Sequence, residues 1–173
     1  MSLEGKMYEP PNAEPSPPQI YEVYMGYETL RGIVYHAFHG LPFEVMGFLV
    51  GRALKWEGEE YTEIQDYVPV RSESKRAGVV PAEGGLASAV TKYLMKLKGK
   101  IFVGWYHSHP SFGCFLSSID LDSHRRYFSE SYHVALVVDP VRKEFDIFKL
   151  HEAGYRKSSF AILEGVPSDE RRR

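Results

Sequence analysis

Cysteine is almost missing from this chain. Cys114 is the one thiol among 173 residues, so no intramolecular disulfide can form. That points to a reducing compartment, and a cytoplasmic location is expected. Long hydrophobic runs are missing too: no stretch of about 20 apolar residues occurs. The first residues show no charged-then-apolar signal pattern. Nor does one sign of charge dominate, since 21 Lys and Arg against 23 Asp and Glu leave a formal net charge of −2. Proteins that bind nucleic acid usually present a clustered basic face. Here the basic runs are Arg71 to Arg76, His124-Arg125-Arg126 and Arg171-Arg172-Arg173, each read as a solvated face or tail. Neither nucleic acid nor a membrane is an expected partner. No internal repeat is visible.

What is present is enough apolar material, 43% of residues, to bury one core. Residues 1–19 stand apart, with Pro10, Pro11, Pro15, Pro17 and Pro18, and read as a flexible or extended lead-in. A single domain is expected over 20–165, followed by a charged tail over 166–173. Leu30, Val34, Ala37 and Phe38 recur at helical spacing and predict a helix from Tyr27 to about His39, ended by Gly40 and Pro42. Strands are predicted over Val45–Trp56 and Tyr61–Val70. The polar, glycine-containing stretch Arg71–Gly85 reads as an inserted loop or hairpin. Leu86, Ala89, Val90, Tyr93, Leu94 and Leu97 predict an amphipathic helix to about Lys98. A short strand Ile101–Tyr106 follows, then a helix from Ser117 to about Ser129. His133–Val138 and Glu144–Leu150 read as paired strands, and Gly154–Leu163 as one more. Helices set against a mixed sheet make an α/β or α+β domain, which pattern alone does not separate.

The chemistry is concentrated in residues 107–120, His-Ser-His-Pro-Ser-Phe-Gly-Cys-Phe-Leu-Ser-Ser-Ile-Asp. In an extended segment His107 and His109 project to one face. Ser117 reads as a helix N-cap, and Asp120, three residues on, shares its face of the helix. A loop containing Gly113 can fold that face back over the histidines. Two imidazoles and a carboxylate make a three-ligand zinc site with a fourth position open, the pattern of a hydrolytic rather than a structural metal. Water activated by such an ion needs a base beside it. Glu44, at the start of an apolar strand, is a candidate, and so by residue type are Glu22, Glu28 and Glu63. His124, four residues after Asp120 on the same helix face, could replace a ligand or support one but reads better as a surface histidine; Cys114 could be a thiolate ligand but reads better as a small packing residue; His36 and His39 read as helix-end cations, and Trp105 and Tyr106 as core beneath the site.

Glu44, then His107-x-His109, seven residues, Ser117, two residues and Asp120 resembles the JAMM (MPN+) metalloprotease motif. The likeness runs through Val103–Pro110, Phe112-Gly113-Cys114, Val137–Pro140 and Glu44–Gly47, and spans roughly residues 22–150. These stretches are closest to the branch of the family that holds the deubiquitinase subunit of the proteasome lid. The resemblance implies an MPN/JAMM fold, a mixed central sheet flanked by helices and related to cytidine deaminases. It implies one zinc per chain on His107, His109 and Asp120, Glu44 as general base and later acid, and Ser117 as hydrogen-bond donor to the oxyanion. It implies isopeptide hydrolysis after the C-terminus of ubiquitin or a ubiquitin-like protein, with a proteasome or AAA+ unfoldase as a conceivable partner. The chain departs from the pattern in having Phe115 where relatives carry Trp and Ser111 where they carry Gly. It also lacks the lid subunit's long C-terminal extension, which reads as a minimal or standalone catalytic domain.

By the same resemblance, Arg71–Gly85 matches the position of an insertion that pairs with the substrate tail. Val79 and Val80 are expected near that pairing edge, Glu83 is expected to meet a basic tail residue, and Phe112 and Phe115 are expected along the tail's path. Two competing functions are a non-catalytic MPN scaffold, which the intact residue set argues against, and a zinc hydrolase acting on a sulfur-carrier-type ubiquitin-like protein or a peptide.

Overall fold

The helix expected near the start of the domain forms over Tyr27–His39 (α1), closed by the Gly40 N–H on the His36 carbonyl and the Leu41 N–H on that of Phe38. The structure is a computed structural model that describes residues 20–75, 78–81, 84–94 and 99–164. The lead-in 1–19, Glu83 and the tail 166–173 lie outside these. Helix α1 buries Thr29, Ile33 and Ala37, a row spaced by four. Val34 and Phe38, two of the residues whose spacing predicted the helix, are 38% and 59% exposed. The small residues decide the contact. A Cβ at Gly32 would stand 2.6 Å from the Tyr67 ring, so the helix lies against the sheet along its Gly32 side.

Beyond α1 the order is β2 (Met46–Trp56), β3 (Glu59–Val70), β4 (Ser72–Lys75), β5 (Gly78–Pro81), α2 (Gly85–Leu94), β6 (Ile101–Ser108), α3 (Ser118–Tyr127), β7 (Val134–Asp139) and β8 (Glu144–His151). The stretch predicted as one last strand is two, β9 (Gly154–Lys157) and β10 (Phe160–Leu163), and a further strand, β1 (Val23–Gly26), precedes α1. Among the described residues, eight strands form one sheet in the order β10-β1-β3-β2-β6-β7-β8-β9, while β4 and β5 pair only with each other. The sheet is mixed. β1 runs parallel to both β10 and β3, and β6 runs parallel to β7. The pairs β2–β3, β2–β6, β7–β8 and β8–β9 are antiparallel. The architecture is α+β, a mixed central sheet flanked by helices. No helix among the described residues is long and apolar enough to cross a membrane.

The two faces of the sheet carry separate cores. On the α1 face Val23, Met25, Ile33, Leu49, Ile64, Tyr106, Leu136 and Ile147 pack together. On the other face Met46, Val50, Val70, Ala89, Tyr93, Trp105, Leu116, Val137 and Phe148 do so. An irregularity in β6 sets which residues face which core. Leu49 pairs with Gly104, but Val50 pairs with Phe102, so Val103 is an extra residue and the strand bulges. The bulge brings Phe102 and Trp105 to the same face and sends Tyr106 to the other. Gly104 tolerates this because β7 comes so close that a Cβ there would fall 1.9 Å from the Val134 carbonyl oxygen. Beyond the bulge the alternation resumes, and His107 lies opposite Met46 on the face that holds Trp105.

Candidate metal centre

His107 is the penultimate residue of β6 and His109 follows just beyond the strand. Both are almost fully buried. The backbone holds them from two sides. Ser108 N–H bonds to the Val45 carbonyl at 3.0 Å, and His109 N–H bonds to the Val138 carbonyl at 2.9 Å. The Ser108 hydroxyl accepts the Val45 N–H at 2.9 Å. The two imidazoles meet nearly edge to face with centroids 4.7 Å apart, and their Nε2 atoms are 3.0 Å apart.

Asp120 arrives on α3 through a capping box. Ser117 Oγ accepts the Asp120 N–H at 3.2 Å, and Asp120 Oδ2 accepts the Ser117 N–H at 2.8 Å and the Ser117 hydroxyl at 2.6 Å. The same Oδ2 lies 3.4 Å from His107 Nε2 and 3.7 Å from His109 Nε2. The expected N-cap and the expected ligand carboxylate are therefore one device: the cap fixes the first turn, and the turn aims the carboxylate.

Three lone-pair atoms thus face a common point. A tetrahedral ion bound at about 2.0–2.1 Å requires ligand atoms about 3.3 Å from one another. The observed separations of 3.0, 3.4 and 3.7 Å bracket that value. His107, His109 and Asp120 together form a group able to hold a metal ion. The second nitrogen of His109 supports the same reading. Its Nδ1 lies 3.1 Å from the Gly113 carbonyl, an acceptor only, so Nδ1 carries the proton and Nε2 is free to bind a metal. Burial is the largest influence on Asp120 and opposes its charge. The hydrogen bonds from His107, His109 and Ser117 outweigh it and hold the carboxyl far below its ordinary range. Burial likewise disfavours charge on His109, but Asp120, the Gly113 carbonyl and Glu44 raise its pKa above the ordinary value.

Glu44 precedes β2. The pairing of Met46 with His107 and of Val45 with Ser108 brings it level with His109. Burial raises its pKa, against the opposing charges of His109 and His107, and Asp120 raises it further. The other carboxylates that residue type alone left open are engaged elsewhere, Glu22 with Arg156, Glu28 with Arg31 and Glu63 with Arg52.

One supporting residue escaped the sequence reading, and another was placed on the surface in preference to a supporting role. Asp139, fully buried at the end of β7, accepts the N–H groups of Ser111, Gly113, Val141 and Arg142 at 2.8–3.0 Å. It thereby shapes the loop behind His109, in which Ser111 and Gly113 both have positive φ, 71° and 82°. In the sequence this aspartate stood only within the Val137–Pro140 stretch of the family likeness, with no role attached to it. His124, read as a surface residue, is 0% exposed and accepts the Trp105 indole N–H at 2.9 Å. The turn after Asp120 brings it inward over Trp105, a contact between elements that helix periodicity alone does not reveal. His36 is also no helix-end cation. Burial lowers its pKa, and its Nδ1 meets the Tyr106 hydroxyl at 2.7 Å.

Around the ligands, Phe112, Phe115 and Ile119 stand 69%, 41% and 67% exposed, and the Phe115 ring lies 4.7 Å from that of His109. Ile119 was not anticipated, although its place beside Asp120 in the first turn of α3 offered the signal. Val79 and Val80 lie in β5, whose register pairs them with Ser74 and Glu73 of β4.

Comparison with known proteins agrees with this geometry. Residues 19–131 match the family described as JAB1/Mov34/MPN/PAD-1 ubiquitin protease. The chain is 37% identical over 123 residues to the 26S proteasome regulatory subunit RPN11 of Eremothecium gossypii, covering 69% of this chain and 38% of that protein. It is 33% identical over 140 residues to the ubiquitin carboxyl-terminal hydrolase RPN11 of Saccharomyces cerevisiae, covering 76% and 44%. It is 32% identical over 145 residues to the 26S proteasome non-ATPase regulatory subunit 14 of Dictyostelium discoideum, covering 82% and 46%. The chain thus spans less than half the length of these relatives. Among solved structures, protein DSY2949 of Desulfitobacterium hafniense shares the fold with a TM-score of 0.64 at 18% identity, over 87% of this chain and 99% of that one. The chain belongs to the JAB1/Mov34/MPN/PAD-1 ubiquitin protease family, in the branch that keeps the JAMM metal ligands.

Proposed function

We propose that the chain is a zinc-dependent isopeptidase that cleaves the bond between the C-terminus of ubiquitin, or a ubiquitin-like protein, and a substrate lysine. The observation that carries this is the convergence of His107 Nε2, His109 Nε2 and Asp120 Oδ2, with Glu44 brought level with His109 by the β2–β6 register. A zinc ion held there lowers the pKa of water toward about 7 and polarises a carbonyl. Glu44 takes the proton from the attacking water and returns it to the departing lysine amine. A carboxylate with a raised pKa suits both halves of that exchange. Ser117 supplies a hydroxyl donor for the developing oxyanion, where a positioned donor acts most strongly. A zinc site with a neighbouring carboxylate that shuttles protons also supports the likeness to cytidine deaminases.

The substrate tail lies along the exposed Phe112, Phe115 and Ile119 and adds as a strand to the β4–β5 hairpin. The hairpin pairs with no other strand among the described residues, so an edge is available for that addition. Val79 and Val80 belong to the strand we assign to tail binding, and Glu83 follows it as a partner for a basic tail residue. The named relatives are proteasome subunits, and a cytoplasmic proteasome or AAA+ unfoldase is the corresponding partner here.

The test is cleavage of a ubiquitin–lysine isopeptide conjugate by the wild type and by Glu44→Gln, with zinc content measured in both. Zinc in both and cleavage only by the wild type is the expected result. Zinc with cleavage of a short peptide or a sulfur-carrier conjugate, but not of ubiquitin, would redirect the substrate assignment. A folded wild type that takes up no zinc would leave a scaffold.

A further inference from the structure

The two ligand histidines are oriented by different means. His109 is fixed by a hydrogen bond from Nδ1 to the Gly113 carbonyl. His107 has no such bond: its Nδ1 is buried and meets no partner among the described residues. Instead its ring lies against the Trp105 indole, centroids 4.6 Å apart and planes 12° from parallel. The indole is in turn tethered at one atom, Nε1, which donates to His124 Nδ1 at 2.9 Å.

We propose that His124 is a positioning residue for the metal centre: by accepting the Trp105 indole N–H it holds the plane on which the His107 imidazole stacks. The inference rests on the zinc reading above and concerns the same site. An indole N–H can only donate, so His124 Nδ1 must be the unprotonated nitrogen and Nε2 carries the hydrogen. That Nε2 is buried with no partner among the described residues. A leucine at this position would avoid the unpaired N–H, so packing alone does not account for a histidine here. Burial pushes the His124 pKa down to about 4, with the charge of His133 adding to it, so the ring remains a neutral acceptor at neutral pH. Phe128 completes the stack. It lies 6.4 Å from Trp105 at 16° and 6.0 Å from His124 at 21°. Turning the indole away from His124 would break these contacts. For a metal ligand that lacks its own hydrogen bond, the supporting group is this stacked plane and the residue that holds it.

The experiment measures zinc affinity of the full chain by competition with a chromophoric chelator, for the wild type, His124→Leu, His124→Asn and Trp105→Phe. The visible spectrum of the cobalt-substituted proteins reports ligand geometry independently. Leucine should weaken zinc binding about tenfold and change the cobalt spectrum. Asparagine, whose Oδ1 can occupy the Nδ1 position as an acceptor, should restore both. Trp105→Phe keeps a stacking ring but loses the tether, so it should match leucine, and the double variant should be no worse than either single one. Wild-type affinity in His124→Leu would overturn the proposal. So would equal losses in the leucine and asparagine variants that follow only the melting temperature of the metal-free proteins. If His124→Leu does not fold, Trp105→Phe decides in its place: wild-type affinity and spectrum overturn the proposal. A wild type that binds zinc, and loses it in His109→Ala, separates these outcomes from failure of the metal reading itself.

Discussion

His109 and Asp139 are joined through a single residue: Gly113 gives its N–H to Asp139 Oδ2 at 2.8 Å and takes the His109 Nδ1–H on its carbonyl at 3.1 Å. The buried carboxylate at the end of β7 therefore helps to hold the carbonyl that turns His109 Nε2 toward His107 and Asp120. Asp139→Ala leaves four backbone N–H groups without their acceptor. We expect a loss of about 3 kcal/mol in urea unfolding of the metal-free protein, and roughly tenfold or greater weakening of zinc binding. Burial opposes charge on Asp139, but the four N–H groups outweigh it and lower its pKa. Its stabilisation is then present above the unfolded carboxyl value near 4 and is lost as pH falls through the lower folded value. If Asp139→Ala unfolds at wild-type urea concentration and binds zinc normally, the loop is held by something else.

Glu44 sets function against stability. Burial raises its pKa, so the folded state prefers the proton and its charged form weakens the fold at neutral pH. The contribution of a group raised in this way is fully present below its unfolded value and lost as pH rises through the folded one. Glu44→Gln should abolish cleavage by a factor of about 100 or more while retaining zinc. In the metal-free state at pH 7 it should melt at a higher temperature than the wild type, and the gap should close in acid. Scanning calorimetry across pH checks the sign, and a less stable Glu44→Gln at pH 7 would contradict it.

The proposed mechanism adds a second duty to the cap that Ser117 forms, and a single substitution can separate the two by magnitude. Its hydroxyl caps α3 against the Asp120 N–H, a role worth about 1 kcal/mol. As oxyanion donor it is worth a factor of about 100 to 1,000 in kcat. Ser117→Ala should therefore remain folded at room temperature with little change in KM and a large fall in kcat. A fall no greater than the loss of folded protein would leave Ser117 as a cap alone.

Much of this site was legible because its geometry is local. His107 and His109 share a face by the period of a strand, and Ser117 and Asp120 share one by the period of a helix, so fourteen consecutive residues carry the ligand set. Glu44 needed the β2–β6 register, and residue type alone left four carboxylates open. Asp139 and His124 touch groups on other elements, Gly113 and Trp105, and neither residue's place in the sequence shows those contacts. In the fold, the longer strands and three helices were readable, while β1 was too short at four residues to show a period. Of the four apolar residues that marked α1, Val34 and Phe38 face outward because Gly32, not the larger side chains, lets the helix approach the sheet.

The β4–β5 hairpin can be removed without pulling on the domain. A Cβ on Gly85 would lie 2.4 Å from the Arg71 carbonyl oxygen, so the ends of the insertion already touch. Replacing residues 72–83 with a short Gly-Ser turn should leave zinc content intact and the melting temperature nearly so. If the hairpin receives the substrate tail as an added strand, the lost main-chain hydrogen bonds remove binding that is made in the ground state and the transition state alike. KM for a ubiquitin conjugate should then rise tenfold or more, by rough expectation, with a much smaller change in kcat. Unchanged KM would refute the docking role. A rise in kcat with unchanged zinc content would mean that the hairpin restrains the free enzyme, and that whatever opens it governs the rate.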